Sequence, residues 1–224
     1  MAVALDLARL GEGRTSPNPM VGAVLVRDGK IIGRGFHRGP GTAHAEIEAL
    51  ASSPPAPLRH DVGEGSRRRG EVLYVTLEPC CPPKKGGRTP PCTDAILRSG
   101  VREVVVGMKD PDPRTCGRGI ALLKKAGVKV RVGVLEKEAR DLNEAYVVHR
   151  SKKRPFVILK MAATADGMVG VKGKRLKITG PEADAQVHAL RDRVDAILVG
   201  RGTVEADNPR LTARPKGGRG KDPL

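Results

Sequence analysis

The chain has 224 residues, 41 Lys and Arg against 25 Asp and Glu, a formal charge of +16, and only two Tyr, two Phe and no Trp. An apolar share of 39% is globular in type and excludes a disordered chain, and no stretch nears the roughly 20 apolar residues that span a bilayer. The charge asks for an anionic partner, nucleic acid or a phosphorylated small molecule, whereas the scarcity of aromatics speaks against a single-strand binder.

Residues 2–10 carry apolar side chains at helical spacing and stop at Gly11, which predicts a short first helix. Residues 21–26 and 30–35 are apolar runs joined at Asp28-Gly29, a strong hairpin signal. Thr42 is placed to cap a helix over 43–51 that carries His44 and Glu46. Residues 52–70, with Arg67-Arg68-Arg69, have no apolar period and read as a surface excursion.

Strands are then expected at 71–77, 104–108 and 128–132, separated by helices at 92–99 and 120–126 and followed by one helix over 135–148. Alternation of this kind implies parallel strands with crossover helices, here appended to an antiparallel hairpin. The first domain, residues 1–150, is therefore read as a mixed α/β sandwich. Residues 151–155 look like a linker into a second domain at 151–224, with strands at 156–162 and 196–200 around a helix at 181–191 opened by Pro181. The Gly-rich basic tail from Ala213 is expected to fray.

Four Cys are too few for a disulfide scaffold, and their spacing points to metal ligation in a reducing compartment, so the chain is read as soluble and cytoplasmic. His44-Ala45-Glu46 near a helix start, Pro79-Cys80 after a strand and Cys92 at the start of another helix supply one imidazole and two thiolates. Three protein ligands leave the fourth tetrahedral position for water, the pattern of a catalytic zinc. Zinc lowers the pKa of that water toward ~7, ready to attack an amino-bearing ring carbon, with Glu46 as the general acid and base. Cys81 competes with Cys80 as ligand, and Cys116 is assigned nothing.

These residues, together with Thr15-Ser16-Pro17-Asn18-Pro19-Met20-Val21-Gly22, Gly35-Phe36-His37, Thr76-Leu77-Glu78-Pro79-Cys80, Gly87-Arg88-Thr89-Pro90-Pro91-Cys92 and Asp110-Pro111-Asp112-Pro113, resemble the bifunctional riboflavin-biosynthesis deaminase/reductase family. The resemblance implies a cytidine-deaminase-like first domain that releases ammonia from 2,5-diamino-6-ribosylamino-4(3H)-pyrimidinone 5′-phosphate. Zinc would sit on His44, Cys80 and Cys92, with Glu46 as proton shuttle. Asn18 and His37 are candidate substrate contacts, weighed against turn-forming and packing roles. The stretch 81–86 is longer than the family pattern, and eleven residues between Cys80 and Cys92 replace the Pro-Cys-x-x-Cys of nucleic-acid deaminases.

Lys160-Met161-Ala162, Asp166-Gly167, Ile178-Thr179-Gly180-Pro181, Val187-His188 and Asp207-Asn208-Pro209 resemble the start of the same family's dihydrofolate-reductase-like α/β domain. There the resemblance implies NADPH contacts at Ala162, Thr203 and Asp207 and substrate contacts at Arg191, Leu211 and Arg214. Lys177 stands where a Trp is usual, Arg175 where a Ser is usual and Asp184 where an Arg is usual. About 70 residues follow the linker, so this domain is expected to be incomplete and its reductase activity lost.

Two rivals remain beside the phosphorylated small-molecule substrate: a tRNA-adenosine type of base deaminase, favoured by charge, and a non-catalytic zinc-stabilised anion binder. Glu46 argues against the second, since a purely structural site has no use for a non-ligand carboxylate beside an open metal position. No membrane partner is expected, nucleic acid is disfavoured by the cysteine spacing, and a homo-oligomer is left open.

Overall fold

The computed structural model describes residues 1–54, 70–81, 90–113, 115–171, 176–215, 217–218 and 220–224. Arg67-Arg68-Arg69, most of the stretch after Cys81, Gly87-Arg88-Thr89 and Arg175 lie outside the described residues. The chain divides into two units, Met1–Phe156 and Val157–Leu224.

The first unit is built on five strands, β1 (Gly22–Arg27), β2 (Lys30–Phe36), β3 (Glu71–Leu77), β4 (Glu103–Met108) and β5 (Lys129–Val132), in the order β2-β1-β3-β4-β5. β1 pairs antiparallel with β2 and with β3, while β3, β4 and β5 run parallel. The hairpin turns on Asp28 (φ 49°) and Gly29 (φ 73°), the left-handed pair that a two-residue hairpin needs. The central parallel strand β4 carries an unbroken Val run, buried from Val104 to Met108, because helices cover both faces.

On one face lie α1 (Ala2–Arg9) and α5 (Glu136–Leu142), which close a cluster of Leu5, Leu77, Met108 and Ala139. On the other, α2 (Ala45–Ala51), α3 (Cys92–Ser99) and α4 (Arg118–Lys125) bury Ala49, Ile96 and Leu123 against Leu25, Val75, Val104 and Val106. The α/β/α layering expected from the sequence is therefore present. Glycine at Gly35 lets α2 approach closely: a Cβ there would stand 2.3 Å from the Ala45 carbonyl oxygen.

Three expectations need correction. Thr42 does not cap α2, because its hydroxyl donates to the Gly39 carbonyl at 2.8 Å and His44 takes the N-cap position. The single helix at 135–148 is two, α5 and α6 (Glu144–Lys152), broken at Asn143 (φ −107°), and α6 runs through the start of the expected linker.

The third concerns the second unit, which carries α7 (Pro181–Arg193) and α8 (Arg201–Asp207) but no strand at 156–162 or 196–200. A strand exists only where a neighbour completes its ladder. Among the described residues no strand flanks either run, and Val157, Leu159 and Leu198 stay exposed. The tail from Ala213 is tied rather than loose in part: Leu224 donates to the Asp195 carbonyl and accepts from the Ile197 N–H.

Candidate metal centre

The carboxyl end of β3 passes into Glu78-Pro79-Cys80, and the N-termini of α2 and α3 converge on it. His44 is the N-cap of α2 and Cys92 the first residue of α3. His44 Nδ1 lies 3.1 Å from Cys92 Sγ and 3.6 Å from Cys80 Sγ. The three donor atoms all fall within 4.8 Å of one another. Tetrahedral Zn–N and Zn–S bonds of about 2.0–2.3 Å set donors ~3.6 Å apart, so this N and S set fits a zinc ion. Cys81 is buried beside Cys80 but outside the cluster, and Cys116 is exposed.

The thiol positions follow from the fold. Cys92 donates its backbone N–H to Cys80 Sγ at 3.3 Å, and the amides at the start of α3 favour negative charge there. Hydrogen bonding with Cys80 and burial push the Cys92 thiol well up; a bound cation reverses that by taking the thiolate.

Glu46, two residues past His44 on α2, is only 4% exposed. Burial, and after it the nearby Cys80, push its carboxyl up to about 7. A carboxyl poised near neutrality both accepts and releases a proton, as general acid–base work requires.

Asn18 and His37 are brought together beside this cluster. The His37 ring is buried, its Nδ1 donates to the Ala43 carbonyl at 3.2 Å, and its Nε2 accepts from Asn18 Nδ2 at 3.1 Å. The Ala43 bond fixes the tautomer, and burial lowers the His37 pKa. The ring stands edge-on to His44 with centroids 5.5 Å apart.

In the second unit Arg191 and Arg214 meet around Thr212: Arg191 Nη1 donates to its carbonyl at 3.3 Å, and Arg214 binds its hydroxyl. Arg214 N–H also donates to His188 Nδ1 at 3.2 Å. Burial, with Arg214 nearby, lowers the Arg191 pKa. Leu211 (φ 55°) precedes Thr212, whereas Thr203 and Asp207 lie on α8 and Ala162 on the 156–162 stretch, which forms neither helix nor strand. Lys177 and Asp184, two of the unusual residues, face each other as an ion pair at 3.1 Å.

Sequence reasoning overlooked three buried polar residues, Glu78 and Asp110 just beyond β3 and β4 and Asn143 between α5 and α6. Glu78 accepts bonds from four backbone amides of the segment after β4. Asp110 accepts from the Tyr146 hydroxyl at 3.1 Å and the Asp112 N–H at 2.9 Å. Asn143 holds Met20. For Glu78 and Asp110, a carboxylate next to the carboxyl end of a parallel strand is the available signal, since ligands bind there in open α/β sheets.

Comparison with known proteins agrees with this geometry. The family model for the cytidine and deoxycytidylate deaminase zinc-binding region matches residues 1–108, and that for the RibD C-terminal domain matches residues 155–223. The riboflavin biosynthesis protein RibD of Aquifex aeolicus is 46% identical over 215 residues, covering 96% of this chain and 56% of that protein. A crystal structure of a diaminohydroxyphosphoribosylaminopyrimidine deaminase/5-amino-6-(5-phosphoribosylamino)uracil reductase from Thermotoga maritima superposes with TM-score 0.86 at 44% identity, covering 100% of this chain and 60% of that one. The Rib2 deaminase of Aspergillus oryzae matches with TM-score 0.51 at 26% identity, over 68% of this chain and 92% of that one. The chain thus spans little more than half the length of the curated RibD relatives it matches.

Proposed function

The chain belongs to the RibD family of riboflavin-biosynthesis proteins, and from that premise we propose that its first unit is a zinc-dependent deaminase. Its substrate is 2,5-diamino-6-ribosylamino-4(3H)-pyrimidinone 5′-phosphate, and its products are the corresponding uracil and ammonia. The observation that carries this reading is the convergence of His44 Nδ1, Cys80 Sγ and Cys92 Sγ beside the buried carboxyl of Glu46. Those three atoms would hold zinc, which when bound would supply an activated water at neutral pH.

Glu46 takes one proton from the attacking water to the ring nitrogen and a second from the added hydroxyl to the departing amine, leaving a ring carbonyl and ammonia. Its burial excludes competing solvent protons. His37, locked by Ala43, orients the Asn18 carboxamide, and the pair reads the pyrimidine edge or its ribosyl substituent. Ammonia release by wild type and by Glu46→Ala, compared at matched zinc content, tests the assignment. A large loss in the variant is expected; equal rates, or no release by either protein, overturn it.

The second unit is proposed to serve the NADPH-dependent reduction of the deaminated product in the whole protein, with the match over residues 155–223 as support. That match speaks against the expectation that this activity is lost. Arg191 and Arg214 form a basic pair suited to a phosphate, with Leu211 beside them, while Ala162, Thr203 and Asp207 are the candidate NADPH contacts. Arg191→Ala is expected to raise KM for the phosphorylated substrate in an NADPH-oxidation assay, and an unaltered KM would remove Arg191 from that role. Among the described residues no disulfide joins the four cysteines, which fits a reducing compartment such as the cytoplasm. No helix among the described residues is long and apolar enough to cross a membrane.

A further inference from the structure

Glu78 is 3% exposed, and its carboxylate is enclosed by four backbone N–H donors. Oε1 accepts from Gly119 at 2.9 Å and Ile120 at 3.3 Å; Oε2 accepts from Gly117 at 2.9 Å and Asp110 at 3.2 Å. Three of these donors open α4, a helix that no side chain of its own caps. Converging backbone amides form an anion cradle, and here the occupant comes from the turn that leads into the metal cluster.

Three further contacts hold the turn that runs from that cradle to Cys80. The Glu78 N–H donates to the Met108 carbonyl at 3.0 Å, extending the β3–β4 ladder one residue beyond Leu77. A Cβ at Gly119 would stand 2.1 Å from the Pro79 carbonyl oxygen, so the first turn of α4 rests directly on the peptide before Cys80. The Cys80 carbonyl in turn accepts the Thr93 N–H at 3.1 Å, joining the same turn to α3.

We propose that Glu78 is a positioning residue for the metal centre: its four-amide grip fixes the Glu78-Pro79-Cys80 turn and so aims Cys80 Sγ at His44 and Cys92. Glu78 touches no reacting atom and acts through Cys80. Groups that orient metal ligands from behind govern affinity nearly as strongly as the ligands, with losses of about 10- to 100-fold when removed. The geometry stands on the hydrogen bonds alone, while the metal readout rests on the zinc reading above.

Co2+ in place of zinc gives visible absorption that reports thiolate ligation and tetrahedral geometry. The test compares the chain with Glu78→Gln, which puts an amide N–H2 among N–H donors, and with Gly119→Ala, which presses on the Pro79 carbonyl. Co2+ affinity is measured by chelator competition, and folding by far-ultraviolet circular dichroism on the same samples. The expected result is an affinity loss of about 10- to 100-fold with a shifted visible spectrum in folded protein. Wild-type affinity and spectrum in both variants, or losses that appear only with global unfolding, overturn the proposal while leaving the zinc reading intact. A wild-type chain that binds no Co2+ overturns both.

Discussion

The carboxamide of Asn143 pairs with both backbone polar groups of Met20, across 123 positions of sequence: Oδ1 accepts the Met20 N–H at 2.8 Å and Nδ2 donates to its carbonyl at 2.9 Å. One side chain at the break between α5 and α6 thereby substitutes for a strand neighbour and holds the segment carrying Asn18. Asn143→Ala leaves two backbone groups without that partner, at a cost of about 1–3 kcal/mol. A lower unfolding midpoint is expected, with a raised KM for deamination and unaltered zinc content. An unchanged KM would limit Asn143 to stability alone.

Metal removal should weaken the fold as well as the chemistry. The three donors come from α2, the turn after β3 and the start of α3, so an ion bound there links three separate segments. An ion that binds only the folded chain stabilises it by mass action. Chelation is expected to lower the thermal midpoint of wild type and to leave that of Cys92→Ser almost unmoved. Equal shifts in the two proteins would place the ion elsewhere.

Close packing of α2 on β2 gives a test of how tightly the Glu46 carboxyl is held. Gly35→Ala drives a Cβ to 2.3 Å from the Ala45 carbonyl oxygen and 2.6 Å from the Ala49 nitrogen, so α2 must move. Overpacking of this type costs about 1–3 kcal/mol. A reduced kcat per bound zinc is expected beside the lower stability, because His44 and Glu46 travel with the helix. Full turnover in a destabilised variant would show that the site tolerates the shift.

Burial raises the Asp110 pKa above its ordinary value of 3.8, outweighing the bonds from Asp112 and Tyr146 that lower it. The folded chain therefore holds this proton more tightly than the unfolded chain does. The resulting stability is fully present below pH ~4 and is lost as pH rises through the raised value. Asp110→Asn keeps an oxygen acceptor for the Tyr146 hydroxyl and the Asp112 N–H while removing the titration. Its unfolding free energy should vary less than wild type as pH rises from 4 toward neutrality; an identical pH dependence would contradict the assignment.

The metal centre was legible because its signals are short and local. His44-Ala45-Glu46, Pro79-Cys80 and Cys92 each fall at an element boundary, and the hairpin at Asp28-Gly29 announces itself in two residues. What escaped depends on partners distant in sequence. No periodicity reveals that Asn143 interrupts a helix, since its side chain is engaged by Met20. Nor does any local pattern show that Glu78 serves amides 32 to 42 positions later. Residues 156–162 show the converse failure: an apolar run has strand character in sequence, yet pairing requires a neighbour that apolarity alone does not provide.

The outer strand β5 is only four residues long and alternates Lys129 and Arg131, both exposed, with half-buried Val130 and Val132. Both cations reach back to Glu103 on β4, at 3.5 and 3.2 Å. A sheet ending in a short strand with a charged face offers little to an incoming chain, because an added strand would have to accommodate two cations along its length. The β5 edge of this sheet is thereby guarded against runaway stacking of copies into fibres, a protection built from two basic residues and one acid.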